Sequence, residues 1–174
     1  MRALMVFQSM FGNTQAIAEA IADGLSSRLP VEVLEVGVSP ATIDEDVALV
    51  VVGGPTHAFG MSRPQTRQDA ARQAAAGLVS RGIGLREWLA ALQGPAGIAA
   101  ATFDTRISKP RVPGSAARAA EKRLRRLGFR IVAPAASFYV EGTSGPLQEG
   151  EKQRARRWGE SVGSKTGDLG RVKL

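Results

Sequence analysis

Cysteine is absent from the 174 residues, so disulfides, thiolate metal sites and cysteine nucleophiles are all excluded. A single histidine, His57, stands alone, and one imidazole with no second histidine or cysteine cannot build a zinc centre. Long hydrophobic runs are missing too. No uncharged stretch is longer than Trp88 to Phe103, and that one is broken by Gly94, Pro95 and Gly97 and falls short of a membrane span. Met1 to Phe7 is apolar but lacks the long core and small-residue cleavage site of a signal peptide, so it reads as a first strand and the chain as a soluble cytoplasmic protein. Neither Lys nor Arg occurs between Ala3 and Gly24, which bears on the first loop described below.

What is present is ordinary in amount and unusual in sign. Apolar residues make up 44% of the chain, enough for the full core of one domain of this length. Against 16 Asp plus Glu stand 23 Lys plus Arg, a net charge of +7. Arg118, Lys122 and Arg125 share one helical face with Arg123 and Arg126 beside it, and Lys152, Arg154, Arg156 and Arg157 follow in a later helix. These runs have the spacing of solvated helix faces and carry no interleaved aromatics, so nucleic acid is not an expected partner. An acidic protein is.

Period and punctuation give the element order. Arg2 to Gln8 reads as a strand; from Asn13 the apolar residues Ile17, Ile21 and Leu25 recur at helical spacing. A second strand follows Pro30, and Val47 to Val52 is the continuous apolar run of a strand buried on both faces. A helix is expected over Arg67 to Ala76, another over Leu85 to Leu92, and a strand over Gly97 to Thr102. Ser115 to Leu127 is an amphipathic helix; Phe129 to Val140 is strand-like, with a bend at Pro134. A last helix is expected from Leu147 to Val162, entered through Pro146, leaving 1–163 as the domain and 164–174 as a mobile tail. Strands alternating with helices imply an α/β fold: a five-stranded parallel sheet in the doubly wound order 2-1-3-4-5, with ligands beyond the carboxyl ends of the strands.

Three segments at those ends carry chemistry. Ser9-Met10-Phe11-Gly12-Asn13-Thr14 joins the first strand to the first helix. Hydroxyls at Ser9 and Thr14 and the Asn13 amide surround a turn-forming glycine, and free N–H groups at the helix start make the loop an anion cradle suited to a phosphate monoester. With no lysine in it, the loop is not that of a nucleoside triphosphatase. Gly24, near the end of that helix, is expected to be replaceable without loss of binding. Gly53-Gly54-Pro55-Thr56-His57-Ala58-Phe59-Gly60 follows the third strand, and Thr102-Phe103-Asp104-Thr105-Arg106 is expected as a loop after the fourth.

The first segment resembles the phosphate loop of flavodoxins, T/S-x-T-G-x-T. It is closer still to the S-M-Y-G loop of the tryptophan-repressor-binding-protein class of NAD(P)H:quinone oxidoreductases, with Phe11 in place of a common threonine. The second is similar to the P-T-x-F-G loop of that class, with one residue more between Thr56 and Phe59. In the third, Asp104 and Thr105 match a flavodoxin G-x-G-D-S/T loop, but the tyrosine that shields the ring is replaced by the neighbourhood of Arg106 and Ile107. The resemblance implies a flavodoxin-like three-layer sandwich that binds flavin mononucleotide (FMN). Ser9, Met10, Phe11, Gly12, Asn13 and Thr14 would hold the phosphate. Pro55, Thr56, His57, Phe59 and Gly60 would flank one side of the isoalloxazine ring, and Thr102, Phe103, Asp104, Thr105 and Arg106 the other. It also implies electron transfer through the flavin, with a redox protein as partner or, alternatively, with NAD(P)H and a quinone. The carrier is favoured over the reductase, since no extra segment of the kind that builds the reductase tetramer is evident. A flavin-free protein-binding module is the third reading. A receiver domain is rejected because Gln8, Ser9 and Gly53 stand where its acidic residues belong, and a dinucleotide-binding Rossmann domain because no G-x-G-x-x-G follows the first strand.

Overall fold

A computed structural model describes residues 1–57, 60–74, 77–110 and 113–167. Strands β1 (Arg2–Phe7), β2 (Val31–Glu35), β3 (Val47–Pro55) and β4 (Ala99–Ile107) form a parallel sheet in the order β2-β1-β3-β4. Beyond β4, the edge position is shared by two short parallel strands, β5 (Arg130–Ile131) and β6 (Ala136–Val140). The doubly wound order therefore holds, with its fifth strand in two pieces. β5 pairs with Ala99 and Ala100, and β6 with Phe103 through Ile107. Pro134 lies in the gap, where a residue without an N–H would leave a ladder bond unmade.

Alternation along the strands divides the core into two layers. Ala3, Met5 and Phe7 of β1 and Leu49 and Val51 of β3 pack with helix α1 (Asn13–Leu25) and helix α5 (Glu151–Gly167). Leu4, Val6, Val50 and Val52 point the other way, onto α3 (Leu85–Ala91) and α4 (Ala116–Arg126). Each large side chain so buried contributes about 1.5–3 kcal/mol. The same parity continues up β4, and it decides which of its residues meet a ligand. At the opposite end of the sheet Arg2 is matched by Glu32, Asp44 and Asp46, at 2.5, 3.3 and 3.0 Å.

Three boundaries differ from expectation. β4 runs to Ile107, so Thr102 through Arg106 are strand residues, not a loop; β3 pairs with them through Thr105 and β6 from Phe103 onward. α2 (Pro64–Gln73) begins before Arg67, because Pro64 at its first position is preset for a helix. α5 starts at Glu151, not Leu147, so Pro146 is not a helix entry: Leu147 bridges back to Val140, and the first-turn acid Glu151 accepts the Tyr139 N–H at 2.8 Å. The helix then continues through Gly167, and residues 168–174 lie outside the described residues.

α1 and α5 cross backbone to backbone. A Cβ at Gly24 would stand 2.1 Å from the Arg156 carbonyl oxygen, and one at Gly159 would stand 2.2 Å from that of Ile21. Gly24 is thus a packing glycine, and the expectation that it could be exchanged freely does not survive this contact. Replacing Gly159 by alanine should lower unfolding free energy by about 3 kcal/mol, the upper part of the usual overpacking cost. Urea unfolding with an unchanged m-value would show it, and a loss below 1 kcal/mol would mean that the crossing is looser than drawn.

Candidate functional site

A cleft of about 260 Å³ opens at the carboxyl ends of β1, β3 and β4. Ser9 is fully buried, and its backbone is fixed by a reciprocal pair with Ser80: Ser9 N–H donates to the Ser80 hydroxyl (3.0 Å) and Ser80 N–H to the Ser9 carbonyl (2.7 Å). The Ser9 hydroxyl accepts the Gly12 N–H at 3.1 Å and so closes the loop on itself. Gly12 precedes α1 with φ of 95°, in the left-handed region that costs an L-residue roughly 1–2 kcal/mol. No side chain caps α1, and no acid stands in its first turn. Its leading N–H groups therefore face the cleft with their partial positive charge uncancelled.

The second wall is built from β3 and the segment after it. Thr56 N–H donates to the Thr105 carbonyl (3.0 Å), and its hydroxyl donates to Asp104 Oδ2 (3.0 Å) while accepting the Ala116 N–H (3.1 Å). His57 and Gly60 exchange backbone bonds at 2.7 and 3.0 Å, closing a tight reversal. Phe59 lies outside the described residues. The His57 Nδ1 is 3.2 Å from the Thr66 hydroxyl, which itself lies 3.0 Å from the Arg63 carbonyl and accepts the Arg63 N–H (2.9 Å). Burial pulls the His57 imidazole below its ordinary value, and the nearby Arg67 guanidinium adds to the fall.

β4 distributes its residues between two faces. Thr105 points to the α1 side, where its hydroxyl shares a 2.7 Å hydrogen bond with that of Thr14; Arg106 and Ile107 also line the cleft. Thr102, Phe103 and Asp104 do not. Thr102 donates to the Ala117 carbonyl of α4 at 2.8 Å. Phe103 is buried on the opposite face, edge-on to Phe138 and Trp158 at centroid distances of 6.3 and 6.4 Å. Asp104 is fully buried beneath the cleft floor: its Oδ2 accepts from Thr56, from the Ser115 hydroxyl (2.5 Å) and from the Ala117 N–H (3.1 Å). Among the expected site residues, then, Ser9, Met10, Phe11, Asn13, Thr14, Pro55, Thr56, His57, Thr105 and Arg106 meet around one cavity. Gly12 shapes it from the backbone, and Gly60 holds the reversal behind His57.

The flavodoxin family model matches residues 5–81 of this sequence, a span that holds the first two loops. No curated protein matches the chain. Among solved structures, a flavodoxin from the domain Archaea superposes with a TM-score of 0.67 at 22% identity, covering 96% of this chain and 99% of its own. Flavodoxin 1 from Bacillus cereus gives 0.67 at 20% identity, with coverages of 95% and 98%. The flavodiiron core of Flv1 from Synechocystis gives 0.64 at 18%, covering 97% of this chain and 36% of that one.

The fold is flavodoxin-like.

Its cleft also has a wall that sequence reasoning missed. Thr66, Asp69, Ala70 and Gln73 of α2 line it, as do Val140, the last residue of β6, and Thr143 beyond it. The α2 residues recur at intervals of three, one and three, a single helical stripe; that periodicity was readable, but a mostly polar stripe does not announce which way it faces. The residues of this cleft suit a phosphate ester in two respects: uncapped N–H groups at α1, and hydroxyls in place of cations along the cradle.

The depressed His57 sets a pH dependence. A histidine that resists protonation in the folded chain contributes stability that is complete above its unfolded value near 6.5 and is lost as pH falls through the folded value. Stability measured by urea unfolding should therefore decline from pH 7 to 5, and His57→Gln should flatten that part of the curve. Identical slopes in the two proteins would mean that carboxylates alone cause the decline.

Proposed function

We propose that this chain binds FMN and transfers electrons through it. The observation that carries the reading is the left-handed Gly12 leading into an uncapped, acid-free first turn of α1, at the mouth of a cleft lined by hydroxyls. Such a helix start is an anion site in its own right. The phosphate would rest in the Ser9–Thr14 loop, on the N–H groups of Met10, Phe11, Asn13 and Thr14, with Ser9 and Gly12 shaping the loop through their own hydrogen bonds and the Thr14 hydroxyl held in place by Thr105. The ring would lie between the Pro55–His57 segment at the end of β3, with Gly60 behind it, and the Thr105–Arg106 end of β4. Thr102, Phe103 and Asp104 support the site from beneath, by fixing β4 against α4 and the core. A bound flavin supplies the redox chemistry; the chain's residues orient it and set its surroundings. Ile107 in place of a shielding aromatic leaves one ring face accessible to a partner, and the net charge of +7 favours an acidic redox protein.

Purified chain stripped of any flavin should quench the fluorescence of FMN on titration and that of riboflavin far less, because riboflavin lacks the anchoring phosphate. Gly12→Val should weaken FMN by about tenfold or more, through the strain of an L-residue in the left-handed region and displacement of the cradle. Gly82→Ala is the control: Gly82 has open space around it and no positive φ. Equal affinity for FMN and riboflavin would remove the phosphate loop. No quenching by either would leave a flavin-free protein-binding module as the reading.

A further inference from the structure

His57 is the one histidine of the chain, and its two imidazole nitrogens have unlike surroundings. Nδ1 lies 3.2 Å from the Thr66 hydroxyl in the first turn of α2. Nε2 has no hydrogen-bond partner among the described residues, yet it is not one of the polar atoms sealed from solvent there. The residue lines the cleft beside Thr66, and its backbone is pinned by the two bonds it exchanges with Gly60.

The Thr66 hydroxyl decides where the imidazole proton sits. A hydroxyl has one hydrogen to give and two lone pairs to receive with. The Thr66 oxygen is 3.0 Å from the Arg63 carbonyl oxygen, and two oxygens so close need a proton between them. That uses the hydrogen. One lone pair takes the Arg63 N–H at 2.9 Å, and the other faces Nδ1. All three contacts are hydrogen bonds only when Nδ1 carries the imidazole proton. The opposite tautomer would leave the two oxygens in contact with nothing between them. A neutral His57 therefore offers Nε2 as a bare acceptor.

The surroundings favour that neutral state. Burial pushes the imidazole below its ordinary value, and the Arg67 guanidinium of α2, itself paired with Glu87 of α3, pushes it further down. Asp69 of α2 lines the same cleft and is engaged by Arg72 and Gln65. Arg106 lines the cleft from β4, and Arg86 of α3 holds the Met61 and Ser62 carbonyls just past the reversal. No carboxylate bonds to the imidazole among the described residues.

We propose that His57 is an acceptor of the cleft: its Nε2 takes a hydrogen bond from a donor group of the bound flavin, and protonation of the imidazole weakens that hold. This rests on the flavin reading of the site and gives the site a pH dependence of its own. A flavin brings donors in its ring N–H and its ribityl hydroxyls, and each must find an acceptor in place of the water it leaves. Two roles for His57 predict opposite signs. A cation facing a phosphate ester would strengthen binding on protonation. An acceptor loses its lone pair, so affinity falls as the pH drops below about 6.5 in spite of the added charge.

Because His57 is the only histidine, nitrogen NMR of chain labelled at histidine reads it without assignment. At pH 8 the flavin-free chain should carry the proton on Nδ1 and none on Nε2. Saturating FMN should move the Nε2 signal towards that of a hydrogen-bonded nitrogen and lower the titration midpoint of the imidazole. In fluorescence titrations between pH 8 and pH 5.5, the parent should lose several-fold more FMN affinity than His57→Gln, whose amide keeps an acceptor but does not titrate. The phosphate's own titration cancels from that comparison. His57→Lys, a permanent donor and cation, should weaken FMN at pH 8 by about tenfold or more. A proton on Nε2 in the flavin-free chain would overturn the proposal. So would an imidazole midpoint raised by FMN, or His57→Lys binding FMN as tightly as the parent. Should His57→Lys fail to fold, as judged by urea unfolding, the nitrogen signals of the parent decide alone. Quenching of FMN with unmoved nitrogen signals removes this role and leaves the proposed function standing; no quenching removes both.

Discussion

A buried carboxylate holds the upper half of this molecule together. One oxygen of Asp104 receives three donors, from Thr56 at the end of β3 and from Ser115 and Ala117 at the start of α4. Burying an ion without such partners would cost several kcal/mol, so the donors and the carboxylate require one another. The arrangement also gives α4 the anion that its N-terminus favours, from inside the protein. α1 has no such partner. The two helices point their starts at the same end of the sheet, one satisfied by the chain and one left for a ligand. That contrast is why the proposed anion site of the cleft is the Gly12 cradle and not the start of α4.

Parity along β4 converts this arrangement into two compartments. Residues of one parity, Phe103 and Thr105, look toward α1 and α5, and those of the other, Thr102 and Asp104, toward α4. β3 pairs with the segment as far as Thr105 and β6 from Phe103 to Ile107, so it is held in the sheet on both sides. The strand thereby carries Arg106 and Ile107 up to the rim of the cleft.

The order of elements, the two-sided burial of β3 and the cradle at Ser9–Thr14 were legible because each is a local pattern: a continuous apolar run, a helical period, a glycine before an uncapped helix start. The length of β4 was not. Thr102 to Arg106 mixes polar and apolar residues in a way that reads equally as loop or strand, and only a neighbour thirty residues later, split by Pro134, resolves it. Gly24 misled for a similar reason. Near a helix end it looks like an exit signal, whereas the Arg156 carbonyl that forbids a Cβ there belongs to a helix more than a hundred residues away. The α2 wall of the cleft had the right spacing but no apolar stripe to orient it. Long-range partners, in each case, decided what composition left open.

The hydrogen bonds that cross between loops have a kinetic meaning as well. Thr14 is tied to Thr105, Thr105 to Thr56, and Ser9 to Ser80, so the ends of β1, β3 and β4 are joined before any ligand arrives. A site assembled in this way has little ordering left to do at the moment of capture. Ligand arrival is then governed by diffusion and orientation, with no wait for loops to settle, and affinity differences among its ligands will reside mainly in how fast they leave.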